Sequence, residues 1–129
     1  MSLTTVHQPT VTVAAFFEHA AEPLRLELCA GAHGMARVLS RARIQKPGLA
    51  LAGYTRFVHR DRVQILGETE LSYLGTLGSE ARQAALDGYL QCEVACILVT
   101  KGLELPDLLV TMCDEHATPL FRTPITSSV

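Results

Sequence analysis

The chain has 129 residues, 48% hydrophobic and 19% charged, proportions of one folded domain with a sizeable core and not of a disordered segment. Its net charge of −2 gives no general pull toward nucleic acid or an anionic membrane, and no apolar run approaches the length of a membrane span. Four cysteines (Cys29, Cys92, Cys96, Cys113) form no C-x-x-C pair and follow no secretory signal, so reduced thiols in a cytoplasmic protein are expected.

Residues 1–10 are expected to be mobile and are left out of the fold argument. Thr12 is a good N-cap for a first helix, in which Val13, Phe16, Phe17 and Ala20 form one apolar stripe and Pro23 ends the run. Residues 24–29 alternate apolar with charged side chains, the pattern of a half-buried strand. After a turn at residues 30–34, residues 37–44 alternate again. Val38, Ser40, Ala42 and Ile44 share one face, while Arg37, Leu39, Arg41 and Arg43 make a basic outer face. Pro47-Gly48 reads as the corner of a type II turn, proline presetting one angle and glycine supplying positive φ.

A basic, aromatic segment follows (Arg56, Phe57, His59, Arg60, Arg62), then a strand-like run at residues 62–67 closing on Gly67. Thr69 is placed to cap a helix that begins at Glu70 and carries Leu71, Leu74 and Leu77, with Tyr73, as far as Gly78. Ser79 caps another helix, with Ala81, Ala84, Ala85, Tyr89 and Leu90 facing inward. Residues 95–100 are a continuous apolar run too short for a helix, hence a strand buried on both faces. Pro106 opens a last helix at its first position, with Leu108, Leu109, Met112, Cys113 and His116 on one side. A short strand at residues 119–123 follows. The polar tail 124–129 reads as a severed connection to a further domain. From residue 62 the order strand, helices, strand, helix, strand predicts parallel pairing, so the fold class is α/β, a small mostly parallel sheet flanked by helices.

Three blocks, KPGLALAGY, RVQILGETEL and CILVTKGLELP, resemble the N-terminal domain of bacterial HPr(Ser) kinase/phosphorylase, in the right order over residues 11–123. The domain also looks distantly similar to the N-terminal UDP-substrate-binding domain of Mur ligases, where a comparable Pro-Gly loop approaches the nucleotide. The first resemblance implies the regulatory or structural N-terminal domain of a bifunctional serine kinase of the phosphotransferase system. That transferase phosphorylates and dephosphorylates a serine of the phosphocarrier HPr and so controls carbohydrate metabolism and sugar transport. It implies ATP or pyrophosphate and Mg²⁺ in a separate catalytic domain, and a homohexamer assembled through that domain. The partners implied are the chain's own catalytic domain and HPr, with no nucleic acid and no membrane. Many family members place Arg before the Pro-Gly corner; Lys46 keeps the charge and loses the bidentate fork.

The chain itself holds no G-x-x-x-x-G-K-[ST] phosphate cradle, since neither Lys46 nor Lys101 stands after a glycine. The fragment alone is therefore expected to be inactive and to need no cofactor. Five histidines show no metal-ligand spacing, and Cys92 and Cys96 read as core residues before they read as a zinc pair. His33 and His59 stand beside the basic segment and are the two worth testing. Glu68 and Glu70 are read as helix-start acids that complement the dipole. Ser72 and Ser79 have no adjacent base.

Seven basic residues (Arg37, Arg41, Arg43, Lys46, Arg56, Arg60, Arg62) face a single acid, Asp61, between residues 37 and 62. A solvated face is the first reading of that run, and an anion-binding surface the second. The candidate ligand-binding residues are Lys46, Gly48, Gly53, Tyr54, Arg62, Gln64, Thr69 and Glu70, placed near strand ends where open α/β sheets take ligands. The alternative function is a stand-alone sensor domain for a nucleotide or sugar phosphate. No catalytic or metal-ligating residue is assigned.

Overall fold

The structure is a computed structural model that describes residues 10–40, 44–56 and 58–126. Among these residues the chain runs β1 (Thr10–Thr12), α1 (Val13–Ala20), β2 (Glu27–Ala30), β3 (Val38–Ser40) and β4 (Ile44–Gln45). It continues through β5 (Val63–Leu66), α2 (Glu68–Thr76), α3 (Ser79–Leu90), β6 (Cys96–Val99), α4 (Asp107–Glu115) and β7 (Leu120–Arg122). Short 3-10 helices span Ala32–Gly34 and Gly48–Ala52. The main sheet has the order β2-β7-β6-β5-β4. The three pairings from β4 through β7 are parallel, and β2 closes the other edge antiparallel to β7. A separate two-stranded ribbon pairs β1 with β3. The fold is α/β with a mixed, mostly parallel sheet.

Strand period divides the core in two. In β6, Ile97 and Val99 face α2, α3 and α4, whereas Cys96 and Leu98 face α1, and all four are buried. Central parallel strands covered on both faces have no polar face to show, which is why this run reads as unbroken hydrophobicity. On the first side Leu74, Leu86, Tyr89, Leu90, Leu109 and Met112 close over the sheet together with Ala50 and Leu51 of the 3-10 helix. On the other, Phe17 of α1 stacks on Phe121 of β7 with ring centroids 5.2 Å apart, and Phe16 meets the same ring edge-on at 6.3 Å. Thr12 caps α1, its hydroxyl accepting from the Ala15 amide at 3.1 Å.

Several expectations need correction. The strand predicted over residues 37–44 is two strands in two sheets, β3 with β1 and β4 with β5. Its faces are also inverted: Leu39 is 1% exposed and Val38 is 50% exposed. Alternation gives the period of a strand, and only the partner strand decides which phase points inward. The Pro-Gly corner is no type II turn. Pro47 sits at ψ −32° and leads straight into the 3-10 helix, and the positive φ falls at Gly53, the C-cap of that helix, and not at the Pro-Gly corner. The strand predicted from residue 24 begins at Glu27, because Arg25 turns at positive φ.

Helix α2 begins at Glu68 with Gly67 as N-cap, not at Glu70 after Thr69. Gly78, not Ser79, caps α3, and Pro106 is the N-cap of α4 rather than its first residue. Ala81 and Ala84 are exposed, and Leu86 takes the buried place on α3. Most of the 1–10 segment, Arg41, Ala42, Arg43, Phe57 and residues 127–129 of the tail lie outside the described residues.

Candidate functional site

The eight candidate residues fall into four places. Lys46, Gly48, Gly53 and Tyr54 frame the 3-10 helix that follows β4. Ala50 and Leu51 plug this helix into the core at 2% and 1% exposure, so it is anchored although it lies between strands. Lys46 and Tyr54 line a cleft of about 340 Å³ with Pro47, Leu49 and Val58. Across the same helix, Thr69 and Glu70 line a second cleft of about 230 Å³ with Leu49, Ala52 and Tyr73. That cleft lies at the carboxyl end of β5, where parallel sheets take ligands. Arg62 precedes β5 and therefore stands at the opposite end of the strand. The described structure does not bring it to Thr69 and Glu70.

Gln64, midway along β5, is fully buried and hydrogen-bonded through both ends of its amide. Its Nε2 donates to Gln45 Oε1 at 3.0 Å and to the His59 carbonyl at 3.1 Å, while Oε1 accepts from the Tyr89 hydroxyl at 2.8 Å. The His59 amide also donates to Gln45 Oε1 at 2.8 Å, so one polar chain joins α3, β5, β4 and the basic loop. Glu70, 7% exposed, accepts from the Gly67 amide at 2.8 Å and so satisfies one orphan donor at the start of α2. The capping role read for Glu70 is the one this geometry carries.

Glu68 reaches Lys101 Nζ at 3.7 Å. With Glu68 and Glu70 both in its first turn, the α2 N-terminus is set against an incoming phosphate. The residues present do not fit a nucleotide-phosphate cradle.

The basic run is less available than its composition implies. Arg37 Nη1 donates to the Val94 carbonyl at 2.8 Å and to Thr118 Oγ1 at 3.1 Å, and its Nη2 donates to the His116 carbonyl at 2.8 Å. It thus clamps the loops entering β6 and β7. Arg60 pairs with Glu93 at the surface. His33 is exposed on the first 3-10 helix and His59 on the basic loop. His116, on the end of α4, lies 3.3 Å from Asp87 of α3.

Cys96 and Cys113 are buried, and burial pushes both thiols up to about 12, with Asp114 adding to the effect at Cys113 and Arg37 opposing it. Burial also raises the half-buried Cys29, beside Glu27, and lifts the Tyr89 phenol well above its ordinary value. None of these shifts activates a nucleophile. Among the described residues, no three His, Cys, Asp or Glu side chains converge on a metal position. Nor is any helix there long and apolar enough to cross a membrane.

One polar group escaped the sequence reading. Thr100, 2% exposed at the end of β6, has a hydroxyl without a hydrogen-bond partner among the described residues. No local pattern distinguishes it from any other strand threonine.

Comparison with known proteins is consistent along the chain. The family described as HPr Serine kinase N terminus matches residues 11–129. An HPr kinase/phosphorylase of Geobacter sulfurreducens is 42% identical over 105 residues, covering 81% of this chain and 33% of that protein. One of Bacillus cereus is 36% identical over 107 residues, 83% of this chain and 35% of that protein. The chain thus spans about a third of the length of these relatives. Among solved structures, the CBS and DRTGG domains of the regulatory region of a Clostridium perfringens pyrophosphatase, complexed with the activator diadenosine tetraphosphate, superpose with a TM-score of 0.59. The superposition covers 89% of this chain and 44% of that one at 15% identity, a likeness of fold.

Proposed function

This chain belongs to the HPr Serine kinase N terminus family, and from that premise we propose that it is the regulatory or structural N-terminal domain of an HPr kinase/phosphorylase. In this reading the full-length cytoplasmic enzyme phosphorylates and dephosphorylates a serine of HPr, using ATP or pyrophosphate and Mg²⁺ in a catalytic domain outside this sequence. It assembles as a homohexamer through that domain, and the present chain is catalytically silent. The observation that carries the proposal is the match over residues 11–129 joined to relatives three times as long. The acidic α2 N-terminus and the structural engagement of Gln64 and Glu70 support a silent domain. Incubation with HPr, ATP and Mg²⁺ followed by mass spectrometry is expected to give no phosphoserine. Phosphate transfer by the 129-residue chain would overturn the silent reading.

The two clefts flanking the Gly48–Ala52 helix favour a second reading, a sensor domain for a nucleotide or sugar phosphate. Lys46 would supply the charge and Tyr54 an aromatic surface, as the likeness to the Mur ligase substrate-binding domain implies for its Pro-Gly loop. A thermal-shift series with ATP, UDP-sugars, pyrophosphate and fructose bisphosphate tests it. A ligand at about a hundred times its dissociation constant stabilises by about 2.7 kcal/mol, and Lys46→Ala should erase that shift.

A further inference from the structure

We propose that the cleft at the carboxyl end of β5 binds a primary alkylammonium group, Glu70 and Thr100 taking the head and Leu49, Leu51 and Tyr73 the stem. This goes beyond the phosphate reading, which needs only the cleft at Lys46. The Glu70 carboxylate is 7% exposed, and its hydrogen bond from the Gly67 amide occupies Oε1. Oε2 is neither bonded nor sealed in among the described residues, so it is open to the cleft that Glu70 lines. No lysine, arginine or histidine among them pairs with this carboxylate, and Lys101 turns to Glu68 instead. A carboxylate buried this deeply ordinarily has a cation beside it.

A second orphan stands next to it. Thr100 Oγ1, on a residue 2% exposed, has no hydrogen-bond partner among the described residues. The Cβ that Gly67 lacks would lie 3.5 Å from Glu70 Oε1 and 3.7 Å from Thr100 Oγ1, so carboxylate and hydroxyl border one gap left by a glycine. The hydroxyl disfavours the fold as it stands, and a ligand that hydrogen-bonds to it offsets that cost. An ammonium carries three donors, enough for Glu70 and Thr100 together.

The walls decide the rest of the ligand. Leu49, Leu51, Ala52 and Tyr73 make the cleft mostly apolar, and its volume of about 230 Å³ falls below the roughly 300–1,000 Å³ of sites for drug-sized ligands. A sugar would leave hydroxyls unpaired against these walls. A phosphate would meet Glu68 and Glu70 in the first turn of α2. A guanidinium binds best to both oxygens of a carboxylate, and here Gly67 already holds one. An ammonium on a short aliphatic stem needs one open oxygen and an apolar wall. A free amine and the side chain of a partner's lysine share that chemistry.

Titration of the full chain with n-butylammonium chloride, followed by amide NMR against matched sodium chloride, tests the proposal. Saturable shifts of the Gly67, Thr69 and Glu70 amides are expected, and none with butyrate or n-butanol. Glu70→Gln keeps the cap, since glutamine serves that position too, and should weaken binding at least about tenfold. Ala52→Lys and Ala52→Glu alter an exposed rim position; they should weaken and strengthen binding by about threefold respectively, with melting unchanged. Thr100→Val should weaken it about threefold without lowering the melting temperature. Absence of a saturable shift overturns the proposal, as do equal shifts with n-butanol or a Glu70→Gln chain that binds as tightly. Indifference to both charges at Ala52 places the amine elsewhere and also overturns it. A Thr100→Val chain that binds as tightly overturns the contact to Thr100, and tighter binding of butylguanidinium overturns the choice of ammonium. Nα-acetyl-lysine methylamide separates the two sources. Affinity equal to that of butylammonium assigns the cleft to a lysine side chain, and affinity about tenfold lower assigns it to a free amine.

Discussion

The Tyr89 hydroxyl on α3 donates to Gln64 Oε1 on β5 across 2.8 Å of core in which both residues are fully buried. This contact fixes the helix layer to the sheet and leads outward through Gln45 to the basic loop. Tyr89→Phe deletes the donor and leaves a buried acceptor unpaired, for an expected loss of about 1–3 kcal/mol. Gln64→Leu should cost more, since it also strands Tyr89, Gln45 and the His59 carbonyl. The double variant should lose less than the sum of the two, with a coupling of about 0.5–3 kcal/mol in urea denaturation. Simple additivity would mean the hydrogen bond contributes nothing.

Arg37 is a clamp and not part of a solvated face. Its three acceptors belong to loops 57, 79 and 81 residues away in sequence, so Arg37→Met should destabilise the domain by about 1.5–3 kcal/mol or more. Lysine keeps the charge but lacks the planar fork, so Arg37→Lys should recover only part of the loss. Chemical denaturation of the three proteins measures both steps.

Thr100 has a hydroxyl buried against the sheet end without a partner among the described residues, which disfavours the fold. The isosteric Thr100→Val should therefore be neutral or stabilise by about 1 kcal/mol, the reverse of the usual result for a buried position. Nearby Gly67→Ala should be tolerated, because its added carbon would meet Glu70 Oε1 at 3.5 Å and Thr100 Oγ1 at 3.7 Å, ordinary contacts. Melting curves of the two single variants test this directly.

The thiols predict a pH dependence. Cys96 and Cys113 titrate near 12 in the fold against 9.0 for the free group, so the folded state retains two protons that the unfolded chain releases above pH 9. Their stabilising contribution is complete below pH 9 and is lost as pH rises toward 12, by up to about 1.4 kcal/mol per thiol per pH unit. In the native protein at pH 8, a disulfide-exchange reagent should label the half-buried Cys29 and Cys92 well before Cys96 and Cys113. Guanidinium should release the remaining two together.

Most elements were legible because their signals are local. Thr12 capping α1, the unbroken apolar run of β6 and the alternation of strand and helix after residue 62 each depend on neighbours within a few residues. So did the parallel direction of β5, β6 and β7, which helical crossovers require. The candidate site was legible only as residue types. Lys46, Tyr54, Thr69 and Glu70 do border clefts, but Gln64, chosen as a ligand contact, is enclosed by its own fold.

The sequence by itself therefore determined the periods, the helix stops, the α/β class and the family of this protein. Tertiary structure alone decided the phase of residues 37–40, the antiparallel edge at β2, the 3-10 course after Pro47 and the structural duties of Arg37 and Gln64. Each of these depends on a hydrogen-bonding or packing partner brought near only by folding. A guanidinium or an amide carries the same sequence signal whether its donors end in water or on carbonyls some 80 residues away.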